Sequence, residues 1–380
     1  MIQFSSSLDG SAFSGLQLLD GLLAAGWTTH ALFAHDGPMI ERYRQRGHQT
    51  QICAHKNWLR QPRVWQFWRN WREAKRDARA MLPALQRIRP DVAYVNSGAS
   101  YAGACAAHRA RIPTVWHIRE LFAEEGGELH APLGFRHAIR SCFQRMARAH
   151  VANSRHVADA VLGPSQALHV VCNAVDDAYF EKPFSQATAR AELGLDVHTT
   201  VVGIPGTLRA VKGQDFALRA MAPWLLANNQ RVLALSGSTD SPYASVLRAA
   251  ADRLGISTQV AFVGRQADMR IFYDACDAAL VPSRSESFGR VAAEAMARGV
   301  PVIASRAGGL PEVVRHQVSG LTFEYGDEES LVREVETLIS DHSLRQRLRA
   351  RALEEVRSRF TLDRYQRDIV GLVTQLGEAT

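Results

Sequence analysis

Two glutamates eight residues apart, Glu286 and Glu294, stand in the stretch "VPSRSESFGRVAAEAMARGVPVIASRAGGLPEVV". Its residue types read as a strand, a loop carrying Glu286, a helix opening near Gly289 and Arg290, a glycine stop at Gly299 and, after Pro301, a further strand. The first amides of a helix have no partner within it, so those around Phe288, Gly289 and Arg290 offer an anion site. Carboxylates accept hydrogen bonds from hydroxyls. A glutamate on each side of such a cradle therefore suits a ligand that is both phosphorylated and sugar-like. Taken alone, two acids at this spacing are more often the solvated acids of an ordinary helix start.

Other candidates lie at strand ends. "GIPGTLRAVKGQDF" sets Arg209, Lys212 and Gly213 in a loop after an apolar run, "FVGR" ends on Arg265, and "TVWHIRE" ends a strand with His117, followed by Arg119 and Glu120. A lone histidine at a strand end is more often structural, a loop arginine is as often a solvated cation, and a mutual salt bridge is the simplest reading of Arg119 beside Glu120. In "DGSAFSGLQLLDGLLAAGW" the spacings among Gly10, Gly15, Gly21 and Gly26 fit neither the dinucleotide fingerprint nor a P-loop, which argues against nicotinamide and ATP chemistry. No Asp or His cluster has ligand spacing, and the five scattered cysteines form no CxxC pair, so neither a metal centre nor a disulfide framework is expected.

The elements that must position these residues follow a simple alternation. The apolar runs "IQFSS", "THALFA", "QTQICA", "DVAYVN", "PTVWHI", "HVANS" and "LHVVC" are separated by helix-period segments, as are "TVVGIPG", "VLALSG", "VAFVG", "AALVPS", "PVIAS" and "GLTF". That pattern predicts two doubly wound α/β, Rossmann-like domains facing a central cleft, with ligands beyond the carboxyl ends of the strands. The polar, aromatic stretch "NAVDDAYFEKPFSQATARAELG" marks the change-over. The expected domains are residues 1–178, residues 179–360 and a C-terminal helix over 361–380 that packs back on the first domain. A length of 380 residues with 46% apolar and 22% charged residues describes an ordinary globular chain, and a net charge of +7 favours anionic partners without choosing among them.

The glutamate stretch resembles the signature of the retaining family-four glycosyltransferases, a glutamate, seven residues and a second glutamate, followed by "GGLPEVV". The resemblance implies the GT-B fold, with residues 1–178 binding the acceptor and 179–360 the nucleotide sugar. It implies transfer of a sugar from a nucleotide-diphosphate sugar to an acceptor hydroxyl with retention, without cofactor or metal. Glu286 would then hold donor-sugar hydroxyls and Glu294 the ribose, with Phe288, Gly289 and Arg290 offering amides and Gly308 and Gly309 lining the same pocket. Lys212 and Gly213 match the family's diphosphate loop, but Thr207 occupies the family's arginine position, and whether Arg209 replaces that charge stays open. Arg265 would lie near the base, His117 would meet the donor sugar, and Gly15 matches the second glycine of a loop that touches the diphosphate, where Ser14 replaces the first. Which sugar, nucleotide and acceptor are used is not legible. A nucleotide-sugar epimerase and a non-catalytic nucleotide-sugar-binding protein are the alternatives.

"WLRQPRVWQFWRNWREAKR", residues 58–76, holds four of the seven tryptophans. A helical projection sets Val64, Phe67, Trp68, Trp71, Ala78 and Leu82 on one arc for the core, and Trp65, Arg69, Arg72, Arg76 and Arg79 on the next. The basic arc, with Trp58 and Arg60, suits anionic lipid headgroups or a lipid-linked acceptor. The resemblance points to glycan synthesis for a bacterial surface polysaccharide, in the cytoplasm and peripherally on the inner membrane face. No nucleic-acid module is present.

Overall fold

Strands that are apolar along their whole length want cover on both faces, which a parallel sheet under crossover helices provides. The structure, a computed structural model, describes residues 1–7, 10–60, 63–122, 127–132, 134–163 and 168–378. They form two compact units, Met1–Ala174 with Leu362–Thr380, and Val175–Thr361.

The first unit holds seven parallel strands in the order β3-β2-β1-β4-β5-β6-β7. They are β1 (Ile2–Gln3), β2 (His30–Phe33), β3 (Gln49–Ile52), β4 (Ala93–Asn96), β5 (Thr114–Ile118), β6 (Ala149–Ala152) and β7 (Leu168–Val170). Ile2 pairs with Leu32 on one side and Val95 on the other, so the strand order reverses at β1. The second unit holds six parallel strands in the order β10-β9-β8-β11-β12-β13. These are β8 (Thr200–Ile204), β9 (Arg231–Ser236), β10 (Val260–Gly264), β11 (Ala278–Val281), β12 (Val302–Ser305) and β13 (Leu321–Phe323). Here the order reverses at β8, which lies between β9 and β11. Every strand overlaps one of the apolar runs expected from the sequence.

The final helix, Leu362–Glu378, belongs to the first unit. Tyr365, Ile369, Leu372 and Val373 are buried along one face. Gly21 of the helix Gly10–Ala24 admits the contact, because a Cβ there would sit 2.8 Å from Gln366 Cγ. The Gln366 amide donates to Gln17 O at 2.8 Å, and the Tyr365 hydroxyl donates to Ser14 O at 3.1 Å.

The tryptophan-rich stretch corrects the helical projection. It forms the helix Val64–Ile88, whose buried residues are Phe67, Asn70, Ala74, Ala78, Met81, Ala84 and Leu85. At 100° per residue this stripe lies about 70° from the expected arc. Small residues decide the rotation, since Ala74 and Ala78 share one core cluster with Ala102, Cys105 and Ala106 of the neighbouring helix Tyr101–Arg109. As a result Val64, Trp65 and Trp68 are 47%, 58% and 43% exposed. Trp58, expected on the exposed edge, is buried, stacked on Tyr101 at 4.6 Å with its indole N–H donating to Gly98 O at 2.9 Å. Gln61 and Pro62 lie outside the described residues.

Candidate active site

In the second unit, three loops leaving the carboxyl ends of β8, β11 and β12 converge on Glu286. The loop after β8 ends in a short turn, Ala210–Lys212, closed by Gly213 at φ 70°. Only glycine fits there, because a Cβ on Gly213 would lie 1.9 Å from Pro282 O in the loop after β11. The Arg284 amide also donates to Val211 O at 2.8 Å, so the two loops are pinned side by side. The Lys212 ammonium consequently donates to Glu286 Oε2 at 2.6 Å, and the Ser283 hydroxyl reaches the same oxygen at 3.4 Å.

The loop after β12 fixes the backbone of Glu286. The Gly309 amide donates to Glu286 O at 2.8 Å. Gly308, at φ 59°, lies so close that a Cβ would meet that oxygen at 2.0 Å. The Ser305 hydroxyl donates to Ser283 O at 2.6 Å and closes the base of the loop. Gly289, at φ 101°, then starts the helix Arg290–Ala297. Phe288 sends its ring into the core, edge-on to Phe360 at 5.4 Å, which leaves its main chain as the group available to a ligand.

Glu294 is buried in that helix. The Tyr273 hydroxyl donates to its Oε2 at 2.9 Å and the Arg290 guanidinium to its Oε1 at 3.0 Å. Burial pushes the Glu294 carboxyl above its ordinary value, against the pull of Arg290 and the Tyr273 hydroxyl. Nothing local in the sequence marks Tyr273 or Ser283. Tyr273 sits in another helix, Met269–Ala275, and only the packing brings it to Glu294.

The remaining expected residues lie elsewhere. Arg209 is exposed at the cap of the turn Ala210–Lys212, and Thr207 is exposed two residues earlier. Arg265 is exposed at the end of β10, with β9 between it and β8.

In the first unit, Gly15 lies within the helix Gly10–Ala24 rather than in a loop ahead of it. Its missing Cβ makes room for the Tyr43 hydroxyl at 2.6 Å and Gln3 Oε1 at 2.9 Å. His117 is fully buried, and its Nδ1 shares a 2.6 Å hydrogen bond with the Tyr94 hydroxyl. Nε2 has no partner among the described residues. Burial, helped by the Arg119 charge, holds the imidazole well below its ordinary value, so it is neutral near pH 7.

Arg119 and Glu120 do not pair through their side chains, contrary to expectation. The Arg119 guanidinium donates to Asn96 Oδ1 at 2.6 Å, to the Tyr365 hydroxyl at 2.9 Å and to Asn173 Oδ1. Glu120 accepts from the Gly98 amide at 2.9 Å, the Arg119 amide at 3.0 Å and the Ser97 hydroxyl. Both side chains are thus satisfied by neutral groups, Arg119 at Asn96 and Glu120 at the adjoining Ser97 and Gly98.

Comparison with known proteins covers most of the chain. Residues 9–179 match the model "Glycosyltransferase Family 4", and residues 185–355 match "Glycosyl transferases group 1". A D-inositol 3-phosphate glycosyltransferase of Segniliparus rotundus is 39% identical over 200 residues, 50% of this chain and 44% of that relative. The match thus spans under half of the relative's length. The solved structure of HepE from Anabaena, in complex with UDP and glucose, superposes with a TM-score of 0.81 at 24% identity, covering 98% of this chain and 99% of that one. Sucrose-phosphate synthase from Thermosynechococcus elongatus gives a TM-score of 0.78 at 19% identity, covering 100% and 99%. At these identities the likeness to both structures is one of fold.

Proposed function

We propose, from the premise that this chain belongs to the family-four, group 1 glycosyltransferases, that it moves a sugar from a nucleotide-diphosphate sugar to an acceptor hydroxyl with retention of configuration. The observation that carries the reading is the Lys212–Glu286 pair at 2.6 Å, held by glycines of three loops beside a helix start. Such a site offers a cation and the amides of a helix start for a diphosphate and a carboxylate for hydroxyls.

In this reading Lys212, Arg209 and the amides around Phe288, Gly289 and Arg290 balance the charge that develops on the departing diphosphate. Glu286 holds the sugar, Glu294 the ribose, Gly308 and Gly309 line the pocket, and Arg265 approaches the base. The acceptor attacks on the face from which the diphosphate leaves, and the leaving phosphate takes its proton. No bound metal is invoked, so chelator should leave the rate unchanged.

The acceptor is proposed to be a glycan or lipid-linked hydroxyl, taken up in the cytoplasm at the inner face of the cytoplasmic membrane. Among the described residues no helix is long and apolar enough to cross a membrane. The UDP in the HepE complex and the inositol phosphate in the relative's name belong to those proteins, and both fit a phosphorylated donor or acceptor here.

The test is release of nucleotide diphosphate from a panel of UDP- and GDP-sugars with candidate acceptors. Glu286→Ala and Lys212→Ala should each lower the rate at least a hundredfold, about 2.7 kcal/mol of transition-state stabilisation. Near wild-type rates in both would remove the assignment. Release also separates transfer from epimerisation, which keeps the nucleotide bond intact.

A further inference from the structure

We infer that Glu286 makes the site select a nucleotide sugar over the bare nucleotide diphosphate, by competing with the diphosphate for Lys212. The inference rests on the nucleotide-sugar reading and concerns the same site. The Lys212 and Glu286 side chains are 26% and 13% exposed and 2.6 Å apart, so their attraction is only partly screened.

Neither main chain is free to relax the pair. Glu286 O is held by the Gly309 amide, and Gly213 locks the lysine loop against Pro282. A diphosphate that takes Lys212 as its counter-charge must therefore displace the Glu286 side chain itself. The displaced carboxylate loses the Lys212 ammonium and needs other donors to offset that partner.

A donor sugar supplies those donors through its hydroxyls. A bare diphosphate supplies none at that position, and its terminal phosphate carries an additional negative charge toward the displaced carboxylate. Donor binding is thus compensated and product binding is not. The ion pair, re-forming once the sugar has left, helps expel the product.

Isothermal titration of UDP, GDP, UDP-glucose and GDP-mannose into the full chain tests this. Glu286→Gln and Glu286→Ala should each bind the matching bare diphosphate about fivefold tighter than wild type, the scale of one partly screened ion pair. Both should bind the matching nucleotide sugar no tighter than wild type. Lys212→Ala should weaken the diphosphate and the nucleotide sugar together. Using two variants at position 286 keeps the test open should one fail to fold, which melting curves report. Bare diphosphate binding neither variant more tightly would overturn the competition while leaving the proposed function intact. Absence of binding by all four ligands to the wild-type chain would overturn the proposed function and this inference together.

Discussion

At the scale of single residues, the two glutamates share a type and differ in surroundings. Glu286 faces a lysine, whereas Glu294 sits in the protein interior with Tyr273 and Arg290 as donors. Because burial raises the Glu294 carboxyl and the tyrosine hydroxyl lowers it, removing that hydroxyl must raise it further. Arg290 remains as the counter-charge, and Asp176 adds to the upward push. If the ionised form receives the ribose, KM for the nucleotide sugar rises as pH falls through this group's range. In Tyr273→Phe that rise should begin at higher pH, with kcat at neutral pH little changed, as KM profiles against pH would report. An unshifted profile would detach Tyr273 from donor binding. The glutamates and their helix start were legible in the sequence, because glycine stops and strand ends are local signals. Tyr273 was not, since its role is a hydrogen bond to a residue 21 positions away in another helix.

Among the elements, the helix Val64–Ile88 shows how packing overrides periodicity. Its apolar residues were countable in the sequence, but the stripe that was buried was chosen by where alanines allow the helix Tyr101–Arg109 to come close. What remains outside is Val64, Trp65 and Trp68, with the Arg69 guanidinium 5.1 Å from the Trp65 ring. This exposed edge is the proposed membrane contact. Co-sedimentation with vesicles containing phosphatidylglycerol should therefore fall severalfold when Arg69, Arg72 and Arg76 become Glu, and vesicles of phosphatidylcholine alone should bind little of either chain. Equal binding of both chains to both vesicles would end the membrane reading. The loop after β8 makes a matching point about glycine. Gly213→Ala would force a left-handed alanine against Pro282 O, at 1.9 Å from an ideal Cβ. It should cost more than about 1 kcal/mol in denaturant melts and separate Lys212 from Glu286.

For the whole molecule, the chain folds as two Rossmann-like α/β units, as its GT-B structural neighbours do, and the first unit is completed only by the far end of the sequence. Tyr365 reaches the buried Arg119 guanidinium at 2.9 Å across 246 positions. Deleting residues 362–378 would expose the buried faces of Ile369, Leu372 and Val373, at about 1.5–3 kcal/mol each, a loss comparable to the net stability of a domain. Amides of β1 to β7 should then lose hydrogen-exchange protection, while those of β8 to β13, which have their own core, should keep theirs. Retained protection in the first unit would show that the helix is dispensable to it. The sequence by itself determined the strands, the two α/β units and the glutamate-bearing helix start, because apolar runs, helical periods and glycine stops act over a few residues. Only the tertiary structure decided that Lys212 meets Glu286, that Trp58 is core while Trp65 is not, and that Arg119 answers to neutral acceptors. Those outcomes depend on how closely distant loops and helices can approach, and close packing is a property of the assembled chain rather than of any segment of it.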